Sequence, residues 1–361
     1  MKIATKRVVV SAAALLLTAG TLTACSSTPS GSSSSKSTAY KIGFLLPDDV
    51  TARYAAADQP DFVKAIAKDD PSAIVLYEDA NGSASNQQQQ AQAMLAQGVN
   101  VLVLDAFDGE AAQSIVTAAD AKKVPVIDYD RLVDGGKSNY YVSFDNEKVG
   151  VLQGTAFVAE LKKEGVPAGS GILMIDGSPT DNNATLFAKG AHSVIDKSGY
   201  KILAEYKTPG WDPAQAQTWV ASQITKFGSQ IKGIYAANDG TAGGAIAAAK
   251  AKKFDLSKVA LTGQDASLAG IQSILAGDQF MTVYKAIKPE AEKAASLAVS
   301  LAKGTHPSAP TTVSGVPSFL LVPVAVTAAN IESTVVKDNF LKASDICTAA
   351  YAAACTKYGV Q

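Results

Sequence analysis

The sequence predicts an α/β fold made of two doubly wound, Rossmann-like lobes, and two observations carry this prediction. From Tyr40 onward, short apolar runs alternate with longer, Ala-rich amphipathic segments, as in chains of right-handed βαβ units. The apolar runs are continuous in Val, Ile and Leu, which is typical of strands buried on both faces of a parallel sheet. There are about ten such strands, too many helices to cover one sheet, and a natural break near the middle, which together favour two lobes; a single (β/α)8 barrel is the structural alternative.

The predicted strands and helices follow one another along the chain. The strands cover residues 41–47, 72–79, 99–106, 124–130, 140–145, 170–177, 200–207, 233–239, 258–265 and 280–285. The helical segments cover residues 60–69, 85–97, 109–122, 146–164, 184–197, 213–227, 241–252, 267–276 and 289–303. Nearer the C-terminus, the run VPSFLLVPVAVTAANI is expected to complete the second lobe as a strand.

The N-terminus is predicted to be an export signal followed by a tether. Residues 1–24 begin with basic side chains and continue as a short, uncharged, mostly apolar run, which is the pattern of a signal peptide. The letters LTAC, ending at Cys25, resemble a bacterial lipobox, in which the cysteine is acylated after cleavage. An ordinary secretory signal is the alternative. Residues 25–39 form a Ser-rich tether, so the folded chain should begin near Tyr40.

The charge of the chain argues against nucleic-acid binding. Lys and Arg total 32 against 33 Asp and Glu, which gives a net charge of −1. Such a chain offers no cationic surface to a phosphate backbone. Only three arginines occur, Arg7, Arg53 and Arg131, so lysine supplies nearly all of the positive charge. Arg53 and Arg131 therefore mark positions where the rigid fork of a guanidinium is expected to matter.

Signatures of catalysis and of metal binding are scarce. The two histidines, His192 and His306, belong to no His/Cys cluster, so a zinc site is not expected. The sequence has no Gly-x-Ser-x-Gly nucleophile elbow and no G-x-G-x-x-G after the first strand. Neither a cofactor nor a metal is therefore expected. A pair of carboxylates acting as a glycosidase is the remaining enzyme alternative.

Polar side chains gather where the predicted strands end, which is where open α/β sheets bind ligands. Several of them should cap the helices that follow, yet they are too many for capping alone. Without a nucleophile or a metal, such a set suits a polyhydroxyl ligand, because each hydroxyl needs donors and acceptors. The strand-end residues are Asp48, Asp49, Asp79, Asp105, Asp128, Asp130, Arg131, Asp145, Asn146, Asp176, Asn238, Asp239, Gln264, Asp265 and Lys285.

Five stretches of the sequence carry a resemblance to a known family: FDNEKVG (144–150), DGSPTDNNATLF (176–187), NDGTAGGAI (238–246), GQDASLAGI (263–271) and MTVYK (281–285). They resemble the periplasmic xylose-binding proteins of sugar ABC transporters, in the ribose/galactose-binding cluster of type I solute-binding proteins. The similarity runs in register from about Tyr40 to about Gly304.

The resemblance implies a type I periplasmic binding protein, whose two lobes are joined by a three-segment hinge. The chain is then expected to cross between lobes near residues 145, 286 and 315. The implied N-terminal lobe is 40–145 plus 286–314, and the implied C-terminal lobe is 146–285 plus 315–361. In this family the hinge closes the lobes over the sugar, the permease recognises the closed form, and no bond of the sugar is broken.

The resemblance also implies a sugar-binding site. It gives Arg53 and Tyr54 as an arginine–aromatic pair and Trp211 as a stacking residue, although the family has tryptophan where Tyr54 stands. The other implied ligands are Arg131, Asp181, Asn183, Asn238, Asp265 and Lys285. Simpler roles stay open for several of them: helix capping for Asn238 and Asp265, a loop turn for 181–183, a surface ion pair for Arg53, a core position for Trp211, and a hinge role for Lys285.

Cys347 and Cys355 form a candidate disulfide, with buried free thiols as the alternative. An oxidising compartment outside the cell permits the bridge. In one continuous helix their Cα atoms would lie roughly 12 Å apart, beyond the roughly 4.4–6.8 Å of a disulfide. A bridge therefore predicts a bend between the two cysteines.

The function predicted from these features is that of a non-enzymatic receptor, lipid-anchored through Cys25 on the extracytoplasmic face of the bacterial membrane. It is expected to deliver D-xylose, or a close aldose, to an ABC permease, and to act as a monomer that contacts the membrane through its lipid alone. The alternatives are a receptor for another monosaccharide such as glucose or ribose, a sugar sensor for a chemoreceptor or kinase, and, less favoured, a secreted glycosidase.

Overall fold

The structure is a computed structural model that describes residues 39–135 and 137–361. Its strands are β1 (Lys41–Leu46), β2 (Ile74–Asp79), β3 (Val101–Leu104), β4 (Val126–Tyr129), β5 (Tyr140–Phe144), β6 (Gly171–Asp176), β7 (Lys201–Lys207), β8 (Ile231–Ala236), β9 (Ala260–Leu261), β10 (Met281–Tyr284), β11 (Thr311–Val313), β12 (Val316–Leu321) and β13 (Val324–Thr327). Its helices are α1 (Gln59–Asp69), α2 (Ala84–Ala96), α3 (Gln113–Ala121), α4 (Asn146–Lys163), α5 (Asn182–Ile195), α6 (Pro213–Phe227), α7 (Asp239–Lys252), α8 (Leu268–Ala276), α9 (Ile287–Ala302), α10 (Ala343–Ile346) and α11 (Ala352–Tyr358).

Seven strands form the first sheet, in the order β11-β12-β5-β4-β3-β1-β2. All neighbours run parallel except β11, which pairs antiparallel with β12. The strand order reverses between β1 and β3. At such a switch point the loops that follow the two strands diverge and leave a crevice beyond their carboxyl ends.

The second sheet contains four parallel strands in the order β7-β6-β8-β9, which reverses between β6 and β8. Backbone hydrogen bonds extend this sheet to β10, since the N–H of Phe280 donates to the carbonyl of Leu261 and that of Val283 donates to Gly263. β10 in turn pairs antiparallel with β13. The second sheet therefore also has a crevice at its switch point.

The chain passes between the two sheets three times. The first passage, at Asp145, leads from β5 into α4, and the second, at 285–286, leads from β10 into α9. Both agree with the expected positions. The third lies at 322–323 rather than near 315, because β12 pairs with β5 and so completes the first sheet instead of the second. Apolar patterning identifies a strand but not the sheet it joins, and Pro323, which has no N–H, ends the ladder.

Both sheets are open and covered by helices on both faces. α1 and α9 pack on one face of the first sheet around Phe44 and Phe62, and α2 and α3 pack on the other face against Leu102. In the second sheet, α4 and α5 cover the face that holds Met174, while α6 and α7 cover the other. This burial on two faces explains the unbroken apolar runs. The predicted doubly wound α/β fold is confirmed, and the barrel alternative is wrong.

Cys347 and Cys355 are joined by a disulfide, with their Cα atoms 5.9 Å apart. The chain bends between them as a bridge requires, because α10 ends at Ile346 and α11 begins at Ala352. The surrounding segment packs with Tyr284 and α8 in one apolar cluster. The bridge therefore holds the end of the chain against the edge of the second sheet.

The expected signal peptide, the lipidation site at Cys25 and the tether up to residue 38 lie outside the described residues. Among the helices that are described, none has both the length and the apolar character needed to span a bilayer.

Candidate ligand-binding site

A small cavity lies at the carboxyl ends of strands from both sheets. It is lined by all nine residues that the family resemblance implied as ligands: Arg53, Tyr54, Arg131, Asp181, Asn183, Trp211, Asn238, Asp265 and Lys285. Four lining residues were not predicted as ligands: Thr51, Asp130, Phe187 and Gln264.

Arg53 is buried, and the protein itself uses most of its hydrogen-bonding capacity. It precedes a π-helical turn, Tyr54–Asp58, whose wider pitch brings side chains five residues apart to one side. Asp58 accepts from Nε at 3.0 Å and from Nη2 at 2.7 Å. Glu290 accepts from Nη2 at 3.0 Å, and Asp130 accepts from Nη1 at 3.1 Å. Of the five guanidinium N–H groups, one on Nη1 is left for a ligand.

These partners of Arg53 decide between its two predicted roles. The side chains of Arg53, Asp58 and Glu290 are at most 4% exposed, so the ion pair is internal and the surface ion pair considered from the sequence is wrong. Arg53 lies at the cavity wall, but its fork is directed mainly at protein carboxylates.

Arg131 reaches the cavity with its fork nearly free. Its Nη1 donates to the carbonyl of Ala106 at 3.4 Å. Within the part of the chain that the structure describes, its Nε has no hydrogen-bond acceptor, although Asp181 lies 3.2 Å away and Asp105 lies 3.6 Å away. The guanidinium thus has anionic neighbours but few hydrogen bonds. Most of its N–H groups are available to a ligand in the fixed geometry that lysine cannot supply.

Tyr54 lies between the two arginines. The guanidinium carbon of Arg53 is 5.6 Å from the ring centroid, and that of Arg131 is 5.8 Å from it, which are cation–π distances. Burial raises the pKa of the Tyr54 hydroxyl well above its usual value, so the group is neutral and can both donate and accept.

Trp211 is held against the loop that follows β6. Its Nε1 donates to Asp181 Oδ2 at 2.9 Å, and its ring covers Gly177, where a Cβ atom would come within 2.0 Å of the indole. The backbone of Trp211 has φ of 58°, a left-handed conformation that is costly for a bulky residue and persists only where the surroundings enforce it. Phe187 meets the indole edge-on, with centroids 6.2 Å apart. Trp211 therefore belongs both to the core and to the cavity wall.

Asn238 and Asp265 differ in local role, although both were considered as helix caps. Asn238 caps α7, because its Oδ1 accepts from the N–H of Thr241 at 2.8 Å, and its side-chain NH2 stays available to the cavity. Asp265 caps no helix, since Ser267 is the N-cap of α8. Its carboxylate instead lies 3.7 Å from Lys285 Nζ. The capping alternative thus holds for Asn238 and is wrong for Asp265.

Asp130 contacts three other residues of the cavity wall, although it was not predicted as a ligand. Its carboxylate pairs with Arg53 and lies 3.4 Å from Lys285 Nζ, and its carbonyl accepts from Asn183 at 2.9 Å. Burial acts to raise the pKa of Asp130, but the cations Arg53, Lys285 and Arg131 outweigh it and hold that pKa below its usual value. A signal for this residue was present in the sequence, because it ends a strand directly before Arg131.

Asp181 and Lys285 reach the cavity from the second sheet and the passage beside it. Asp181 caps α5 through Oδ1, which accepts from the N–H of Asn183 at 2.8 Å, so the predicted turn exists and leaves Oδ2 for Trp211. Lys285 is 2% exposed, and its Nζ lies between Asp130 and Asp265. It also occupies the second passage between the sheets, so the ligand and hinge roles are compatible.

The charges at the cavity wall balance one another. Three carboxylates and three cations line it: Asp130, Asp181, Asp265, Arg53, Arg131 and Lys285. A balanced wall of donors and acceptors favours a neutral ligand with many hydroxyl groups, and the indole and phenyl rings offer apolar surface for its C–H groups. Over residues 39–135 and 137–361, no group of three or more His, Cys, Asp or Glu side chains is placed to hold a metal ion.

Comparisons with known proteins found a matching family model and several relatives. A family model described as a periplasmic binding protein domain matches residues 42–306. A D-xylose-binding periplasmic protein of Escherichia coli (strain K12) is 40% identical over 314 residues, which cover 85% of this chain and 92% of that protein. A multiple sugar-binding periplasmic receptor of Rhizobium radiobacter is 31% identical, over 84% of this chain and 92% of the receptor.

A solved structure shares both the fold and part of the sequence. It is a carbohydrate transporter solute binding protein from Chloroflexus aurantiacus in complex with D-glucose. It superposes with a TM-score of 0.75 at 28% identity, over 84% of this chain and 97% of that one.

Proposed function

The chain belongs to the periplasmic binding protein family, and from this premise we propose that it captures D-xylose, or a close aldose, and delivers it to an ABC importer. Its relatives are periplasmic sugar-binding proteins, so the chain is a solute receptor and not an enzyme. The glycosidase alternative is therefore set aside.

The observation that carries the proposal is the composition of the cavity wall. Three cations balance three carboxylates there, and the two rings of Trp211 and Phe187 adjoin them. A charged ligand would leave part of this set unpaired in a buried place, which is costly. A neutral aldose can satisfy donors and acceptors at once through its hydroxyls and cover the aromatic surface with its C–H face.

The choice of xylose rests on the relatives. Proteins of Escherichia coli and Haemophilus influenzae that are named for D-xylose binding are 40% and 38% identical to this chain, and receptors named for several sugars are 31–32% identical. Glucose and ribose stay the alternatives that a titration must separate.

We propose that the two sheets are the cores of two lobes that close over the sugar. One proposed lobe comprises 40–145 and 286–321 and the other comprises 146–285 and 322–361, a division that the strand pairing supports. Closure would bend the chain at its three passages, as in other hinged binding proteins. The nine predicted ligands come from both lobes, so a bound sugar would link them.

The proposed location is the extracytoplasmic face of the bacterial membrane. The chain would be anchored there by lipid on Cys25, act as a monomer, and meet the permease in its closed form. Metabolic labelling with a radioactive fatty acid tests the anchor, because Cys25→Ser should abolish the label while the wild-type chain retains it. A wild-type chain without label would leave only the ordinary secretory signal.

Isothermal titration calorimetry with xylose, glucose, ribose and arabinose tests the ligand. We expect saturable heat with xylose and a lower Kd for xylose than for the other three sugars. Absence of heat with every aldose would overturn the proposed function, whereas tighter binding of glucose would overturn only the choice of sugar.

A further inference from the structure

Asp239 is a buried carboxylate close to the cavity, and the proposed site does not use it as a ligand. It is the first residue of α7, directly after the cavity residue Asn238, and is 6% exposed. It does not line the cavity, yet both of its oxygens accept hydrogen bonds from other segments of the chain. A buried carboxylate that is bonded in this way fixes the segments that supply its donors, because separating them would leave it without partners.

One oxygen of Asp239 binds the start of α8. Oδ2 accepts from the N–H of Ser267 at 2.8 Å and from the hydroxyl of the same residue at 3.1 Å. Ser267 is also the N-cap of α8, because its hydroxyl accepts from the N–H of Gly270 at 3.0 Å. The hydroxyl therefore accepts from the helix and donates its single proton to Asp239.

The other oxygen of Asp239 binds β10 and the turn before it. Oδ1 accepts from the hydroxyl of Thr282 at 2.9 Å and from the side-chain amide of Gln279 at 2.9 Å. The hydroxyl of Thr282 in turn accepts from the N–H of Ala266 at 3.1 Å. Two consecutive residues, Ala266 and Ser267, are thus connected to one carboxylate.

The segment that these bonds hold is residues 264–267, between β9 and α8, which we call the Asp265 loop. Asp265 has φ of 95° and Ala266 has φ of 49°, positive values that residues with a Cβ atom rarely adopt. Two consecutive residues in such conformations persist only where contacts hold them. The N–H of Asp239 also donates to the carbonyl of Gln264 at 2.9 Å. Asp239 therefore holds the loop at both of its ends.

Two glycines leave room for the Asp239 carboxylate. A Cβ atom at Gly263 or at Gly270 would collide with its oxygens. Gly263 directly precedes the Asp265 loop, and Gly270 lies in the first turn of α8. A carboxylate enclosed this closely has little room to change its rotamer, so its position is fixed by packing as well as by hydrogen bonds.

The conformation of the loop decides where the Asp265 carboxylate lies. This carboxylate lines the cavity, 3.7 Å from Lys285 Nζ, and accepts from the side-chain amide of Gln264. The N–H of Asp265 donates to the carbonyl of Val283 at 2.8 Å, next to Thr282 on β10. A change of the loop backbone toward ordinary φ values would move the carboxylate away from Lys285.

We propose that Asp239 is a positioning residue of the sugar site: through the hydroxyls of Ser267 and Thr282 it holds the Asp265 loop so that the Asp265 carboxylate faces a hydroxyl group of the bound sugar. The inference rests on the proposed function and deepens it, because it assigns the placement of a ligand to residues outside the cavity wall. The loop is then ordered before the sugar arrives, which lowers the entropic cost of binding.

Calorimetric titration of xylose tests the inference. Burial raises the pKa of Asp239 to about 7, so the titrations are made at about pH 8, where the carboxyl group is mostly ionised. Thr282→Val removes the hydroxyl but keeps the shape of the side chain, and it should raise Kd at least about fivefold. Thr282→Ser restores the hydroxyl and should recover most of that loss. Asp239→Asn replaces an acceptor by a donor and should raise Kd at least about tenfold.

A double-mutant cycle separates positioning from a general loss of structure. In an Asp265→Asn background, Thr282→Val should change Kd by less than about twofold, because the group that it positions is already altered. Equal factors in both backgrounds would overturn the inference. Val220→Ala is the stability control, since Val220 is buried on α6 away from the loop. It should lower the urea midpoint but keep Kd within about twofold of the wild-type value.

A second measurement needs no sugar. Hydrogen exchange of the Ala266 amide should be slow in the unliganded wild-type chain and in Thr282→Ser, and at least about tenfold faster in Thr282→Val. Equal exchange rates in the three chains would overturn the inference, and this measurement decides also if Asp265→Asn binds too weakly to titrate. A wild-type chain with the expected exchange pattern that binds no aldose would instead overturn the proposed function.

Discussion

The two buried arginines of the cavity differ in what they leave for a ligand. Four of the five N–H groups of Arg53 are bound by Asp58, Asp130 and Glu290. Arg131 has a single hydrogen bond, to a backbone carbonyl. The guanidinium N–H groups are therefore mostly used by the protein at Arg53 and mostly left open to the cavity at Arg131.

Replacement of Arg131 should affect binding. We expect Arg131→Ala to weaken xylose binding by more than about 2 kcal/mol, because it leaves buried hydroxyls of the sugar without donors. Calorimetry gives the affinity directly. Arg131→Lys keeps the charge without the fork and should recover only part of the loss; an unchanged affinity in the alanine variant would contradict the proposed role.

Replacement of Arg53 should affect stability more than any surface ion pair does. Arg53→Ala leaves Asp58 and Glu290 buried without their cation, and we expect the free energy of unfolding to fall by about 3–5 kcal/mol. Urea denaturation measures this change. Lys189→Ala is the control, since its exposed pair with Glu147 should contribute less than about 1 kcal/mol. Equal losses in the two variants would refute the distinction.

The sequence predicted which polar residues lie at strand ends better than it predicted which of their side chains line the cavity. Nine lining residues could be named from local strings of letters, but Asp130 was not predicted as a ligand. Asp130 has a φ of 55°, and its carboxylate lies beside two cations; such a backbone angle is not visible in apolar patterning. Phe187 lies on α5, where an apolar residue is equally typical of the core. The structure places it both in the core and at the cavity wall.

At the scale of elements, the loop after β6 and the turn before α6 fit together through one glycine. The indole of Trp211 covers Gly177, and the N–H of Thr208 ties the two segments by donating to Gly177 and its neighbour. The orientation of the Trp211 indole thus depends on the absence of a side chain at Gly177.

A methyl group at Gly177 should displace the indole. Gly177→Ala would place a Cβ atom within 2.0 Å of Trp211, and we expect xylose affinity to fall at least about tenfold, with a shifted tryptophan emission spectrum. Gly243→Ala is the control, because Gly243 lies within α7 with open space around it and should tolerate the change. Retained affinity in Gly177→Ala would show that xylose binding does not require the contact between the indole and Gly177.

The positions of strands and helices were predictable, whereas the partner of one strand was not. β1 to β10 and the helices between them follow from apolar runs and their amphipathic neighbours. β12 was expected in the second sheet, and it pairs with β5 in the first. The strand with which β12 pairs depends on where α9 and β11 place it in the fold. Such long-range contacts leave no local pattern in the sequence.

At the scale of the molecule, segments that follow the strands of the two sheets are hydrogen-bonded to each other beside the cavity. The N–H of Gly109 donates to the carbonyl of Thr180 at 3.0 Å, and Asn183 donates to the carbonyl of Asp130 at 2.9 Å. These bonds join segments that follow strands of different sheets. A ligand in the cavity would add its own hydroxyls to the same junction and so favour the closed arrangement.

Sugar binding should therefore stabilise the whole chain. At a free xylose concentration about 100-fold above Kd, the free energy of unfolding should rise by about 2.7 kcal/mol, because only the folded form binds. Urea denaturation with and without xylose measures the shift, and Arg131→Ala at the same concentration should show a smaller one. A shift of equal size in that variant would mean that xylose stabilises the protein without using the cavity.

The pairing of β12 with β5 also bears on how the protein is made. As the chain is synthesised, β5 is an unpaired edge of the first sheet until β12 is made. β12 is made only after β6 to β10. An open parallel edge attracts wrong partners. The first sheet is then complete only after most of the second has been translated, and export in an unfolded state would let both sheets assemble together.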